Sequence, residues 1–334
     1  MNAPDTLDFR LLNEFQRDFP FLPRPYASLA EQLGSSEGEV IAALSRLQQQ
    51  GTVSRIGAVI APRSIGASTL AALAAPAQRL EEIADLVSRR PEVNHNYQRE
   101  HRYNLWFVAT APDEAVLAEA LQAIESETGC KVISLPLVEE FHIDLGFDLR
   151  RAGDAHCASR ATVAVPAPAS LDKAAQRLLG ALQDGLELSP QPFRRLGQRA
   201  GLSEGEVMAT LEDWVDRGFI KRFGVVVRHH ELGFTANAMC VWDVPDALVA
   251  GLGARLAAEP AVTLCYRRTR AQPAAEWPYN LFCMLHGCDR TEVESEIAAL
   301  GTRHGLANYP QAVLFSVRRF KQRGARYVHG AAHA

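Results

Sequence analysis

The chain has 334 residues, of which 47% are hydrophobic and 22% charged, with a formal net charge of -4. That length suits two halves of about 150 residues each, and the acidic balance excludes a generally basic, nucleic-acid-binding surface. No apolar run reaches the length of a membrane span, no secretory signal is expected in Met1 to Asp8, and the six cysteines (Cys130, Cys157, Cys240, Cys265, Cys283, Cys288) form no CxxC pair, as in a reduced cytoplasmic protein.

Leu7, Leu11, Leu12 and Phe15 fall at helical spacing, as do Leu29 with Leu33, and Val40, Ala43, Leu44 and Leu47. Ser36 with Glu39 predicts a capping box on the third helix, and Gly51 ends it. Thr52 to Ala61 is β-rich and reads as a wing, completing a winged helix-turn-helix. Arg55 opens that wing in Arg55-Ile-Gly57; an anion clamp and a solvated charge are equally good readings of it. Beyond it, strands are expected at Ser68–Ala74, Val93–His101, Tyr103–Thr110 and Lys131–Phe141, with helices at Leu80–Ser88 and Asp113–Glu127. The order βαββαβ is ferredoxin-like.

The pattern is then written again. Ser36-Glu-Gly-Glu-Val40 recurs as Ser203-Glu-Gly-Glu-Val207, and the same offset pairs Gly51 with Gly218 and Arg55-Ile-Gly57 with Arg222-Phe-Gly224. Tyr103-Asn-Leu105 matches Tyr279-Asn-Leu281 after small insertions. The fold class is therefore α+β, a tandem duplication of a winged helix-turn-helix and a ferredoxin-like domain. Expected boundaries are 1–66 and 67–149 for the first copy, 150–170 for a Pro- and Ala-containing linker, 171–233 and 234–323 for the second copy, and 324–334 for a tail. Ser170 or Asp172 is placed to cap the first helix after the linker. The two ferredoxin-like sheets are expected to pair into a pseudo-dimer.

Chemistry concentrates in Val93-Asn-His-Asn-Tyr-Gln-Arg-Glu-His-Arg-Tyr-Asn-Leu-Trp-Phe107. On one strand His95, Tyr97, Arg99 and His101 share a face. One such histidine is ordinary packing; two with a Tyr and an Arg point to a ligand or catalytic site. In the second copy Leu264 replaces His95, Tyr266 and Arg268 match Tyr97 and Arg99, and Arg270 replaces His101. Arg267, Arg268 and Arg270 suit a polycarboxylate, because guanidinium pairs with carboxylate in bidentate fashion. Arg222, His229 and His230 are weaker candidates, and His142 ends the last strand of copy one where Ser316 is its counterpart by sequence. Arg318, Arg319, Lys321, Arg323 and Arg326 read as a solvated basic end.

A winged helix before a ferredoxin-like domain resembles the leucine-responsive (Lrp/AsnC) transcription regulators, which implies DNA binding with a small-molecule effector as the alternative function. Against it, the third helix of copy one offers Glu37 and Glu39 with only Arg46, and that of copy two Glu204, Glu206, Glu212, Asp213 and Asp216 with only Arg217. Carboxylates facing phosphates repel, so no nucleic-acid partner is expected.

The stretch from His95 to Phe107, the Arg-Ile-Gly-Ala-Val wing and Phe141-His-Ile-Asp-Leu-Gly-Phe147 resemble one partner of the siroheme decarboxylases. Arg222-Phe-Gly-Val-Val-Val-Arg-His229 with Tyr266-Arg-Arg and Trp277-Pro-Tyr-Asn-Leu-Phe282 resembles the other. The order is that of the fused form found in haem d1 biosynthesis. The resemblance implies conversion of siroheme to 12,18-didecarboxysiroheme with loss of two CO2, and leaves the alternative haem pathway open. It implies siroheme as ligand, no cofactor or protein-bound metal since iron arrives with the substrate, no membrane, and association as a homodimer and with other haem d1 proteins. It further implies anchoring by Arg99, Arg268 and Arg270, contacts from Tyr103, Asn104, Tyr266, Arg267, Arg55, Arg222 and His229, and catalysis by His95, His101 and Tyr97. Either histidine is open to a role as general acid or as ligand to the siroheme iron.

Overall fold

The computed structural model describes residues 6–61, 64–143, 171–228 and 235–325. They divide into two compact units, one holding both helix-turn-helix modules and one holding both ferredoxin-like domains. The expected linker, 150–170, lies outside the described residues, as do Ser170, His229, His230 and Arg326.

In the first unit α1 (Leu7–Glu14), α2 (Pro25–Leu33) and α3 (Glu37–Gln49) repeat as α6 (Lys173–Leu182), α7 (Pro192–Ala200) and α8 (Glu204–Asp216). The predicted capping box is present on α3, and Ser203 with Glu206 makes its twin on α8; Asp172 caps α6 by accepting from Ala175 N–H. The wing differs from expectation. β1 (Val53–Ile60) finds its partner in the other copy, running antiparallel to β6 (Ile220–Val227) with Gly57 opposite Gly224. A Cβ on Gly224 would stand 2.4 Å from the Phe15 carbonyl oxygen. The glycine is needed because Val225 N–H donates to that carbonyl at 2.7 Å.

In the second unit, copy one supplies β2 (Ala67–Leu73), α4 (Leu80–Arg89), β3 (Val93–Arg99), β4 (Leu105–Ala111), α5 (Glu114–Thr128) and β5 (Val132–Ile143). Copy two supplies β7 (Ala236–Trp242), α9 (Asp246–Ala257), β8 (Val262–Arg268), β9 (Leu281–Gly287), α10 (Arg290–His304) and β10 (Gln311–Gln322). The eight strands close in the order β10-β3-β4-β2-β5-β8-β9-β7. The predicted pairing of the two sheets is thus realised by closure. β5 pairs β2 through Pro136 and then β8 from Leu137; β10 pairs β7 through Phe315 and then β3 from Ser316. Closure leaves the barrel no free edge among its described strands.

Each strand has two faces. Outside, Ile83, Val87 and Leu117 of α4 and α5 pack on Leu73, Val93 and Phe107; α9 and α10 do the same in copy two with Val249, Leu252 and Ile297. Inside, Leu70, Trp106, Leu135, Met239, Tyr266, Phe282, Met284 and Leu314 form a shared core. Among the described residues no helix is long and apolar enough to cross a membrane.

Candidate active site in the barrel interior

Residues opposite one another on paired strands share a face. Tyr97 stands opposite Trp106, and His95 opposite Val108, both of the interior core. His95, Tyr97 and Arg99 therefore point inward, as the alternation predicts, and the His95 and Tyr97 rings stack at 6.3 Å. Leu264, Tyr266 and Arg268 take the equivalent inward positions in copy two, opposite Met284, Phe282 and Leu137.

Arg99 and Arg268 place two cations on the inner face. Arg99 is 8% exposed. Its Nη1 donates to the Leu314 carbonyl at 3.0 Å and its Nη2 lies 3.9 Å from the Met284 sulfur. Arg268 Nη1 donates to the Leu135 carbonyl at 2.8 Å, and its guanidinium lies 4.6 Å over the Tyr266 ring. Neither meets a carboxylate among the described residues. Burial lowers the pKa of both, the expected result of holding a cation where water is scarce.

The last strands add groups that the sequence reading placed elsewhere. Arg319 stands opposite Tyr97 and Gln322 opposite His95, while Phe320, skipped in the register, packs on the outer core. Arg319 thus faces inward with Gln322, to which its Nη1 donates at 3.1 Å. It belongs to a strand rather than to a solvated end. On the copy-two side Glu140 stands opposite Tyr266 and Ile143 opposite Leu264, with Phe141 turned to the outer core. The register also shows that Lys321 is the structural counterpart of His142, since they face Asn96 and Cys265 on the equivalent strands. Ser316 is the counterpart of Leu137, opposite Arg99 as Leu137 is opposite Arg268.

His286 is an interior group that sequence reasoning passed over. It follows Phe282 and Met284 on the inner face of β9, opposite Asn237. The Thr263 hydroxyl donates to the Met284 carbonyl at 2.9 Å and lies 2.8 Å from His286 Nδ1. With its one proton spent, that hydroxyl accepts from Nδ1–H, so the proton of neutral His286 sits on Nδ1. Burial, then Arg99, lowers the His286 pKa to about 4.

Several expected contact residues are engaged within the protein itself. β3 ends at Arg99, because Arg99 N–H turns to the Asn104 carbonyl at 2.9 Å. His101 is therefore in the turn, off the His95 face. Four residues of strand already separate His95 from Arg99 by about 13 Å. The His101 ring packs edge-on against Trp277 at 5.3 Å, and its Nδ1 accepts from Tyr103 N–H at 3.0 Å. Burial, then Arg102, lowers its pKa. Tyr103 Oη donates to Glu276 at 2.6 Å, and burial with Glu276 pushes its pKa up to about 12. Asn104 is spent on both backbone groups of Ala75, as Asn280 is on those of Val244. Arg267 pairs with Asp246 at 2.9 Å, and Arg270 with Asp243 at 2.7 Å and Asp246 at 3.0 Å. The last two arginines latch the start of α9. In the helix-turn-helix unit Arg55 donates to Ala58 O at 2.9 Å and Arg222 to Gln16 O at 2.8 Å. They tie the Arg-x-Gly strands to neighbouring backbone.

The barrel and its inward polar face define an AsnC-type ligand-binding domain. The model of the AsnC-like ligand binding domain matches residues 65–142 and 231–321, and that of the siroheme decarboxylase NirDL-like HTH domain matches residues 8–53 and 175–221. The siroheme decarboxylase NirDL subunit of Paracoccus denitrificans (strain Pd 1222) is 48% identical over 98% of this chain and 99% of its own. The siroheme decarboxylase of Hydrogenobacter thermophilus is 30% identical over 95% and 94%. A crystal structure of the siroheme decarboxylase NirDL in complex with an iron-uroporphyrin III analogue superposes with a TM-score of 0.67 at 27% identity, covering 96% of this chain and 93% of that one. The chain belongs to the siroheme decarboxylase NirDL family.

Proposed function

We propose that the barrel binds siroheme and that the chain removes CO2 from its C12 and C18 acetates, giving 12,18-didecarboxysiroheme in haem d1 biosynthesis. The observation that carries this reading is a pair of inward guanidiniums, buried Arg99 and half-buried Arg268, without carboxylate partners among the described residues. A buried cation is costly until an anion or a polar ligand meets it, and siroheme brings eight carboxylates.

In each decarboxylation the bond between the acetate methylene and its carboxylate breaks. The electron pair passes into the macrocycle, CO2 leaves, and one proton bound to the methylene carbon completes a methyl group. The step is redox-neutral and calls on no cofactor of the protein, the iron being part of the substrate. Arg99 and Arg268 hold carboxylates from within the barrel. His95, stacked on Tyr97, delivers the proton, a task its counterpart Leu264 has no group to perform. His101 is the weaker acid candidate: its lowered pKa and its Nδ1 engaged by Tyr103 N–H keep it neutral. In this reading it positions the turn.

The test is a titration of the purified chain with siroheme, followed by product analysis. Shifted siroheme absorption bands and a product lighter by two CO2 are expected, with only feeble binding of duplex DNA. A specific, salt-sensitive DNA complex without tetrapyrrole binding would reverse the reading in favour of a regulator.

A further inference from the structure

Two inward positions of the barrel that the internal repeat makes counterparts hold side chains of opposite charge. Arg319 sits beside Tyr97, next to His95; Glu140 sits at the equivalent place beside Tyr266, next to Leu264. Both lie on the long strands that cross between copies, one position before a phenylalanine that anchors in the outer core, Phe320 in one case and Phe141 in the other. The backbone therefore fixes them as counterparts. A barrel with equal residues at the two positions would accept a macrocycle in two orientations of equal energy. Here a substrate carboxylate placed beside Tyr97 would meet Arg319, and one placed beside Tyr266 would meet Glu140.

We propose that Arg319 and Glu140 select the orientation of the tetrapyrrole in the barrel, and so decide which acetate is offered to His95 first. The inference rests on the siroheme reading above and adds a specificity role to two residues outside the His-Tyr-Arg face. Arg319 attracts the carboxylate-rich edge that is to react. Glu140 repels that edge from the half where Leu264, which has no proton to give, replaces His95. The discrimination is between two placements of one substrate, so the unfavourable contact counts as much as the favourable one.

The experiment is single-turnover decarboxylation, stopped early, with separation of the two monodecarboxylated regioisomers, on the wild-type chain and the Arg319→Gln, Glu140→Gln and Glu140→Arg/Arg319→Glu variants. Wild type is expected to give one isomer in clear excess. Arg319→Gln should lower siroheme affinity roughly tenfold and erode the excess. Glu140→Gln should erode it with affinity kept or improved. The charge swap, in which each position receives the side chain its counterpart already holds, should invert it. A wild-type ratio near one, or a ratio unchanged in all three folded variants, overturns the proposal. Failure of the wild-type chain to bind siroheme at all would instead overturn the function on which it rests.

Discussion

Arg99 and Arg268 occupy one position in two copies: each lies on the inner face of the barrel, and each donates to a leucine carbonyl on a long crossing strand, Leu314 and Leu135. The symmetry extends to the neighbours, for Tyr97 and Tyr266 accompany them at 5.9 Å and 4.6 Å. Two positions before each tyrosine the strands themselves differ, His95 against Leu264.

Arginine 99 should therefore matter more to binding than to folding. Replacing it with methionine removes a buried cation without a carboxylate partner, and the fold should gain about 1–2 kcal/mol or stay level. Siroheme affinity should fall at least tenfold. Chemical denaturation and spectral titration measured on the same preparation check both signs; a large loss of stability with intact binding would make Arg99 a structural group.

The two histidines should separate. His95→Ala should slow decarboxylation by about a hundredfold or more while leaving siroheme bound. His101→Ala should slow it less than tenfold and lower stability by about 1 kcal/mol, through lost packing on Trp277. Equal rate losses in the two variants would return His101 to the chemistry.

Acid should weaken the fold through His286. Its pKa is about 4 in the folded chain against an ordinary 6.5. Between those values the unfolded chain takes up a proton that the folded chain refuses. Stability is full above about pH 6.5 and declines as pH falls toward 4, by up to about 3 kcal/mol. Urea unfolding of wild type and His286→Gln across this window should show a shallower acid decline in the variant; parallel curves would remove His286 from the account.

Gly253 should tolerate no side chain while Phe141 is present. A Cβ there would stand 2.2 Å from the Phe141 ring. Gly253→Ala should cost about 1–3 kcal/mol by overpacking α9 against the crossing strand β5. Gly253→Ala combined with Phe141→Leu should recover part of the loss, and strict additivity in that double-mutant cycle would contradict the contact.

Much of this was legible in the residues themselves. Ser36 with Glu39 announced a helix start because a capping box is local, and the alternation of His95, Tyr97 and Arg99 announced a face because a strand has period two. His101 broke that alternation for a reason no period contains: the backbone turns back at Arg99 to reach Asn104. Arg267 and Arg270 looked like anion ligands until their partners were placed, and Asp243 and Asp246 are more than twenty residues away in sequence. His286 was hidden because Leu281 to Leu285 is apolar on both faces, so nothing in that run marks which way the next residue points. Arg319 and Glu140 needed the register of two strands against the opposite copy, and register between distant segments is set by packing rather than by local sequence.

The crossing strands have a consequence for how the protein is built and kept. Residues 137–143 and 316–322 find their partners only in the other copy. Either copy made alone would present unsatisfied backbone along two margins, an adhesive that recruits whichever strand arrives first, another identical half included. Covalent tethering settles that competition by raising the local concentration of the right half far above that of any rival. It also guarantees equal numbers of the two halves, so that each barrel receives one His95 and one Glu140, never two of either.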